Sequence, residues 1–145
     1  MTTRRALFLC TGNYYRSRFA EEIFNHLAAG RQIDWSAHSR ALAIERLDKA
    51  DSVSPLVRKA LSARGIVPLG CSRSPAPCSV IDLETASLII ALSSTEHRPL
   101  VRERFPAWDN HIQYWEIEDI GLMAPDEATE AIEQRVTKLV AQLPE

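Results

Sequence analysis

The chain has 145 residues, of which 46% are hydrophobic and 25% charged, and its formal net charge at pH 7 is −2. This composition is typical of one globular domain, which we predict over residues 1–145, and it excludes disordered, collagen-like and low-complexity proteins. Basic residues number 17 and acidic residues 19, and on that balance we expect no nucleic-acid partner.

The chain contains three cysteines, Cys10, Cys71 and Cys78. An odd and sparse set of thiols is unlike the disulfide framework of a small secreted protein. The longest uninterrupted apolar runs, such as Ala6 to Cys10, have only five residues, far fewer than a membrane span requires. We therefore expect a cytoplasmic protein without a membrane partner, and we expect a monomer.

Three elements are predicted at the amino-terminal end. Arg5 to Cys10 is a short apolar run that indicates a buried strand entering a turn. From Ser17 the apolar residues recur with helical spacing until Gly30, which predicts an amphipathic helix. Ile33 to Ser39 is a weaker strand prediction.

The middle of the chain is predicted to hold a helix, a loop and a second buried strand. Ser54 followed by Pro55 indicates a helix start, and that helix ends at Gly65. The stretch from Pro68 to Ser79 is predicted to be a surface loop. Ser87 to Leu92 is the second clear buried strand.

The carboxyl-terminal part adds a helix, a strand and a final helix. Ser93 to Glu96 looks like the start of a helix, which Pro106 stops. Asn110 to Ile117 is predicted to be a strand, and Pro125 to Leu143 a helix with one buried side. Strands alternate with helices, and the clearest strands are apolar throughout, so we predict an α/β fold with a parallel sheet covered by helices on both faces. Such sheets place their chemistry beyond the carboxyl ends of the strands.

The loop at that place reads Cys10-Thr11-Gly12-Asn13-Tyr14-Tyr15-Arg16-Ser17. A strand, a tight loop and a helix start together direct backbone N–H groups and a helix dipole into one concavity, which favours an oxyanion. The guanidinium of Arg16 can bind two phosphate oxygens, while Gly12 permits a positive φ and Asn13 tolerates one. Cysteines in such surroundings have pKa values of about 3.5 to 7.5 in place of 8.5. We therefore expect Cys10 to be a thiolate, with Ser17 both donating to its sulfur and capping the helix.

The spacing of Cys10 and Arg16 is weak evidence by itself, because a buried cysteine six residues before a solvated arginine arises by chance. The context favours the functional interpretation. At the same offset, Cys71 has Pro77 and Cys78 has Glu84, and neither cysteine ends a predicted strand.

The sequence from Phe8 to Asn13, then Arg16-Ser17 and Ala20-Glu21, closely resembles the signature of the low-molecular-weight protein-tyrosine phosphatases.

The resemblance continues through Ala60 to Ile66, Leu88 to Leu92 and Glu96-His97. It implies a three-layer sandwich around a four-stranded parallel sheet, and hydrolysis of phosphotyrosine or small aryl phosphates through a cysteinyl-phosphate intermediate, with neither metal nor cofactor. Cys10 would then be the nucleophile and Arg16 the phosphate ligand, and phosphate-like oxyanions would inhibit. The substrate-binding set that the resemblance implies is Thr11, Gly12, Asn13, Tyr14, Tyr15, Arg16 and Ser17.

The resemblance also implies a general acid at Asp119, which matches the position of the family's Asp in an Asp-Pro pair after the last strand. Protonation of the leaving group is needed because phenolate, with a pKa near 10, is a poor leaving group. By spacing alone Glu116, Glu118 and Asp126 compete for this role, although surface or helix-start roles are more common for such residues.

The chain departs from the family pattern on both sides of the expected site. Ile120 replaces the family's Pro, and Gly121 and Leu122 stand where an aromatic pair usually follows. Tyr14 and Tyr15 replace an aliphatic residue and a second Cys, so the usual vicinal disulfide cannot form, and either tyrosine can supply an aromatic wall.

Two other functions remain open. A thiol-dependent arsenate reductase of the same fold would use Cys71 or Cys78 as a relay, but the reductases that resemble this sequence carry their extra cysteines after the third strand. A phosphotyrosine-binding relative with little turnover would keep Arg16 and the loop amides.

Overall fold

A four-stranded parallel sheet forms the centre of the computed structural model, which describes residues 3–47, 53–119 and 122–144. The strands lie in the order β2-β1-β3-β4. They are β1 (Arg4–Cys10), β2 (Trp35–Ala41), β3 (Leu88–Ala91) and β4 (Gln113–Tyr114).

The helices of the described residues pack on the two faces of this sheet. They are α1 (Arg16–Arg31), α2 (Pro55–Ala63), α3 (Val80–Thr85), α4 (Ser94–Arg104) and α5 (Pro125–Gln142), with short 3₁₀ helices at Ile44–Arg46 and Pro106–His111.

Strand β1 explains why the sheet is covered twice. Ala6 and Phe8 pack into a core that α1, α2 and α5 share, whereas Leu7 and Leu9 pack into a separate core with α3 and α4. Successive side chains of a strand point to opposite faces, so a strand that is apolar throughout requires cover on both. The predicted three-layer α/β sandwich is therefore confirmed.

Local capping signals set two of the helix starts as predicted. The Ser54 hydroxyl accepts from Leu56 N at 3.3 Å before α2, and the Ser93 hydroxyl accepts from Glu96 N at 3.3 Å before α4. Both contacts satisfy amides that have no partner within their own helix. Helix α2 ends at Ala63, two residues before the predicted Gly65.

The end of α1 differs from the prediction at Gly30. The helix continues to Arg31, and Gln32 takes the left-handed conformation, with φ 58°, after its end. Ile33 N then bonds back to Ala28 O at 3.2 Å, so Ile33 belongs to the helix end. The predicted strand Ile33 to Ser39 is therefore shifted, and β2 runs over Trp35–Ala41.

The predicted strand Asn110 to Ile117 was also too long, since β4 contains only Gln113–Tyr114. Pro106 opens a 3₁₀ helix that extends to His111, because proline fixes φ at a value that suits such a turn. Beyond β4 the pairing continues as single hydrogen bonds, including Ile117 N to Leu92 O at 2.7 Å.

The short helix α3 was not predicted, although Ser79 and Asp82 form a capping box at its start. Its six residues are too few to establish a helical period. The final helix ends at Gln142, one residue before the predicted Leu143.

Candidate active site

Three carbonyl groups of the loop between β1 and α1 are held away from the concavity that the loop forms. Each of three loop oxygens accepts a hydrogen bond from a backbone amide outside the loop: Cys10 O from Leu42 N, Thr11 O from Ala43 N and Tyr14 O from Ser54 N, at 2.8, 2.9 and 2.9 Å. In a trans peptide the C=O and N–H point in opposite directions. The N–H groups of Thr11, Gly12 and Tyr15 therefore point to the opposite side of the loop, where they form a cradle for an anion.

A hydrogen bond from the side chain of Asn13 directs the hydroxyl proton of Ser17 toward Cys10. Asn13 takes φ 55°, the left-handed conformation predicted for it, and its Nδ2 donates to Ser17 Oγ at 3.0 Å. Because the Ser17 oxygen accepts this bond, its own proton is free to point at Cys10 Sγ, 2.9 Å away. The expected contact between Ser17 and the sulfur is confirmed, and it is fully buried.

A buried polar network holds Asn13 from behind. Its Nδ2 also donates to Ser39 Oγ at 2.9 Å, and its Oδ1 accepts from Ala76 N at 3.1 Å. The Ser39 hydroxyl donates onward to Glu21 at 2.5 Å, and Arg73 donates to both oxygens of Glu21 at 2.8 and 3.0 Å. Every polar atom of the Asn13 side chain is thus satisfied, which fixes the orientation of its amide.

Arg16 lies at the entrance of α1 with only 3% of its surface exposed. Its guanidinium donates to Ile117 O at 3.0 Å and to Glu96 Oε2 at 2.7 Å, and lies 3.7 Å from Asp119 Oδ2. Burial by itself lowers the pKa of Arg16, but the negative charge of Cys10 as a thiolate and that of Glu96 raise the pKa above its ordinary value. Arg16 is therefore a permanent, oriented cation beside the loop.

Glu96 connects Arg16 to Thr11, a contact that the sequence interpretation missed. Its Oε2 accepts from Thr11 Oγ1 and from Arg16, and it lies 3.2 Å from His97 Nε2, in poor alignment for a hydrogen bond. Burial raises the pKa of the Glu96 carboxyl, but the neighbouring His97, Arg16 and Thr11 outweigh burial and hold the pKa well below its usual range. His97 Nδ1 accepts from Ser93 N at 3.0 Å, so the neutral ring carries its proton on Nε2.

A cavity of about 270 Å³ opens in front of the loop. Cys10, Thr11, Gly12 and Arg16 form its floor, and Asp119 lies at its edge with about half of its side chain exposed. The other carboxylates considered for the acid role are engaged elsewhere: Glu116 accepts from Ser94, Glu118 lies beside Ser93, and Asp126 lines a groove between α2 and α5.

The walls of this cavity come from Tyr14, Tyr15, Arg46 and Leu47. The Tyr15 ring packs into the core with 5% exposure, and its hydroxyl donates to Pro125 O at 3.4 Å. Burial raises the pKa of Tyr15. Tyr14 and Leu47 thus offer more accessible apolar surface than Tyr15. Of the residues that replace the family's Pro and aromatic pair, Ile120 and Gly121 lie outside the described residues, and Leu122 is exposed.

Two details of the structure differ from the sequence interpretation. Gly12, which permits a positive φ, does not take one; a Cβ at this position would lie 3.2 Å from Leu47 Cδ1, so that the leucine side chain would have to shift slightly. Ser17 is not the helix cap, because α1 already begins at Arg16 and Tyr15 occupies the cap position.

Cys71 and Cys78 differ from relay thiols in their surroundings and in their pKa values. Burial and nearby Glu22 raise the pKa of Cys71 to about 11, and burial and Asp82 raise the pKa of Cys78 to about 12. A thiol must ionise to attack a disulfide or an oxidised sulfur, so neither is prepared for that chemistry. Within the described ranges no group of side chains is arranged to hold a metal ion, and no helix is long and apolar enough to cross a bilayer.

The fold and the loop together define an α/β protein with an oxyanion cradle built around a cysteine. Residues 5–145 match the family model described as low molecular weight phosphotyrosine protein phosphatase. The chain therefore belongs to this family, as its motifs had indicated. A search of curated protein sequences finds no significant match.

Solved structures with the same fold cover nearly the whole chain. A low molecular weight protein tyrosine phosphatase from T. tengcongensis is 24% identical, with a TM-score of 0.82 over 97% of this chain and 99% of its own. Wzb from Vibrio vulnificus, in complex with benzylphosphonate, is 13% identical, with a TM-score of 0.81 over 97% of this chain and 99% of its own. The YwlE arginine phosphatase from Geobacillus stearothermophilus is 19% identical, with a TM-score of 0.75 over 96% and 92%.

Proposed function

We propose that this chain is a protein-tyrosine phosphatase that hydrolyses phosphotyrosine or small aryl phosphates through a cysteinyl-phosphate intermediate, with no metal in the reaction. The observation that carries the proposal is the position of Cys10 Sγ at the floor of the cradle, 2.9 Å from Ser17 Oγ and beside Arg16. Amides and a guanidinium supply the positive field that a phosphate dianion needs.

In the first step the Cys10 thiolate attacks phosphorus and the bond from phosphorus to the aryl oxygen breaks. Arg16 and the loop amides bind the equatorial phosphate oxygens, where charge is spread in the transition state. Asp119, at the edge of the same cavity, gives its proton to the departing phenolate, so the alcohol leaves neutral.

In the second step water attacks the phosphorus of the cysteinyl phosphate. Asp119, now a carboxylate, takes the proton from that water, the bond between sulfur and phosphorus breaks, and inorganic phosphate leaves. The thiolate is restored, and the proton from Ser17 stabilises it as a leaving group.

The cavity walls favour an aromatic phosphate ester over phosphoarginine. Tyr14 and Leu47 present apolar surface to a substrate ring. Arg46, at the same mouth, repels the cationic guanidinium of a phosphoarginine side chain at close range. The likeness to an arginine phosphatase makes phosphoarginine a necessary comparison substrate.

The test is steady-state hydrolysis of p-nitrophenyl phosphate and of phosphotyrosyl, phosphoseryl and phosphoarginyl peptides, with chelator present. We expect turnover of the two aryl substrates, loss of it in Cys10→Ser and Arg16→Ala, and unchanged rates in the control Cys78→Ser. Full activity in Cys10→Ser would exclude the mechanism. Preferential hydrolysis of phosphoarginine would reassign the substrate.

Two further assays separate the alternatives. Arsenate should inhibit as an oxyanion; thiol-dependent production of arsenite would instead identify a reductase. Binding of phosphotyrosyl peptide to the unmodified chain with no release of phosphate would identify a binding protein in place of an enzyme.

A further inference from the structure

Arg18 is a buried cation on the far side of the phosphate-binding loop from the cavity. It is the third residue of α1 and has only 2% of its surface exposed, although arginine is seldom so deeply buried. Its side chain turns back along the chain, and Nη1 donates to Asn13 O at 3.2 Å. Nη2 donates to Gly70 O at 2.8 Å and to Arg73 O at 2.7 Å.

The contact with Asn13 O adds a fourth loop carbonyl to the three that are held outward. Three other loop carbonyls are held outward by backbone amides, which no side-chain substitution removes. The carbonyl of Asn13 is held by the side chain of Arg18. Because C=O and N–H oppose each other across a trans peptide, this contact turns Tyr14 N–H toward the cavity that Tyr14 lines.

We propose that Arg18 is a positioning residue of the phosphate-binding loop: by holding the Asn13 carbonyl outward, it aims the Tyr14 N–H at the bound phosphate. This inference rests on the proposed function only in requiring that the loop bind phosphate. Without Arg18 the peptide between Asn13 and Tyr14 is free to rotate, and a carbonyl dipole turned into the cradle would repel the dianion.

The surroundings of Arg18 support a cation retained for its geometry. Burial and nearby Arg73 lower the pKa of Arg18, while Glu21 and Glu22 act in the opposite direction. Taken together, these surroundings make the charged form of Arg18 less stable than that of an exposed arginine. A planar guanidinium can still reach Asn13 O on one side and two carbonyls of the segment after α2 on the other, a fork that a single ammonium group does not reproduce.

The experiment compares Arg18→Met with Arg64→Met as the matched control. Arg64 also bonds a carbonyl, Ala60 O at 2.9 Å, and a carboxylate, Glu133 at 2.9 Å, but it lies outside the cavity. Inorganic phosphate and vanadate are titrated onto each protein by calorimetry, and kcat and KM are measured well below each melting temperature. Both variants should lose stability.

We expect Arg18→Met alone to bind phosphate about tenfold or more weakly and to lose about 10²-fold in kcat, the size associated with one oxyanion donor. With phosphate bound, hydrogen exchange of the Tyr14 amide should also quicken in this variant and not in Arg64→Met. Phosphate affinity and kcat in Arg18→Met equal to those of Arg64→Met would overturn the proposal.

Arg18→Lys keeps the test decisive if the Met variant does not fold. The lysine retains a buried cation without the fork, and we expect weaker phosphate binding with a smaller loss of melting temperature than in Arg18→Met. Wild-type affinity in a folded Arg18→Lys would refute the role of the guanidinium. Failure of the unmodified chain to bind phosphate would refute the proposed function instead, so the two failures are distinguishable.

Discussion

Replacement of Ser17 by Ala removes the hydroxyl that lies within hydrogen-bond distance of Cys10 Sγ. The two atoms lie 2.9 Å apart, and the Ser17 side chain is fully buried. A hydrogen bond to a charged acceptor contributes about 1.5 to 3 kcal/mol. Since about 1.4 kcal/mol corresponds to a factor of ten in an equilibrium constant, the equilibrium constant for forming the thiolate should fall by about 10- to 100-fold.

This loss has unequal effects on the two chemical steps. A less stabilised thiolate is still a strong nucleophile once formed, but it is a poorer leaving group when water attacks the cysteinyl phosphate. We therefore expect kcat to fall by about 10- to 100-fold and the intermediate to accumulate. Rapid mixing with p-nitrophenyl phosphate should show a burst of p-nitrophenol followed by a slow steady state.

The control for this experiment is Ser62→Ala, which removes an exposed hydroxyl from α2. It should leave kcat unchanged and show no additional burst. A kcat for Ser17→Ala within twofold of the unmodified protein, with no burst, would refute the argument that the Ser17 proton stabilises the sulfur.

Asp119→Asn should slow hydrolysis of phenyl phosphate by about 10²-fold or more and that of activated p-nitrophenyl phosphate much less, because only the poorer leaving group needs a proton; equal losses in kcat/KM would exclude the acid role. Glu96→Gln should reduce kcat/KM about tenfold, because the loop arginine loses a charged hydrogen bond; tighter phosphate binding would instead show that the carboxylate competes with substrate. Burial lowers the pKa of His97 and of His38, so the unfolded chain binds their protons first as the pH falls below about 6.5. The free energy of unfolding, measured by urea titration, should therefore keep the whole of this contribution above pH 6.5 and lose it as the pH falls below that value. His97→Asn should make the decline less steep, whereas the control His111→Asn, at an exposed position, should not.

Local sequence signals identified the elements that carry the loop. The apolar run before Cys10, the helical spacing after Ser17 and the caps at Ser54 and Ser93 act within a few residues, and the structure shows them where they were expected. Helix and strand ends were predicted less accurately, since α1 continued past Gly30 to Arg31 and β4 was shortened by the turn after Pro106.

The contacts that orient the site could not be predicted from these local signals. Glu96 meets Arg16 across 80 residues, and Arg18 meets Arg73 across 55. Residue type gives no information about such partners, because a buried glutamate and a solvated one look the same in a sequence. Glu96-His97 was visible as part of the family resemblance, but its contact with the loop was not.

The sequence by itself determined that a cysteine, a left-handed asparagine and an arginine stand between a buried strand and a helix, because these choices depend on neighbours in the chain. Only the tertiary structure decided which way four of the loop peptides face, those with the carbonyls of Cys10, Thr11, Asn13 and Tyr14. That direction is set by Leu42, Ala43, Ser54 and the buried Arg18, donors that come close to the loop carbonyls when the sheet and its helices pack together.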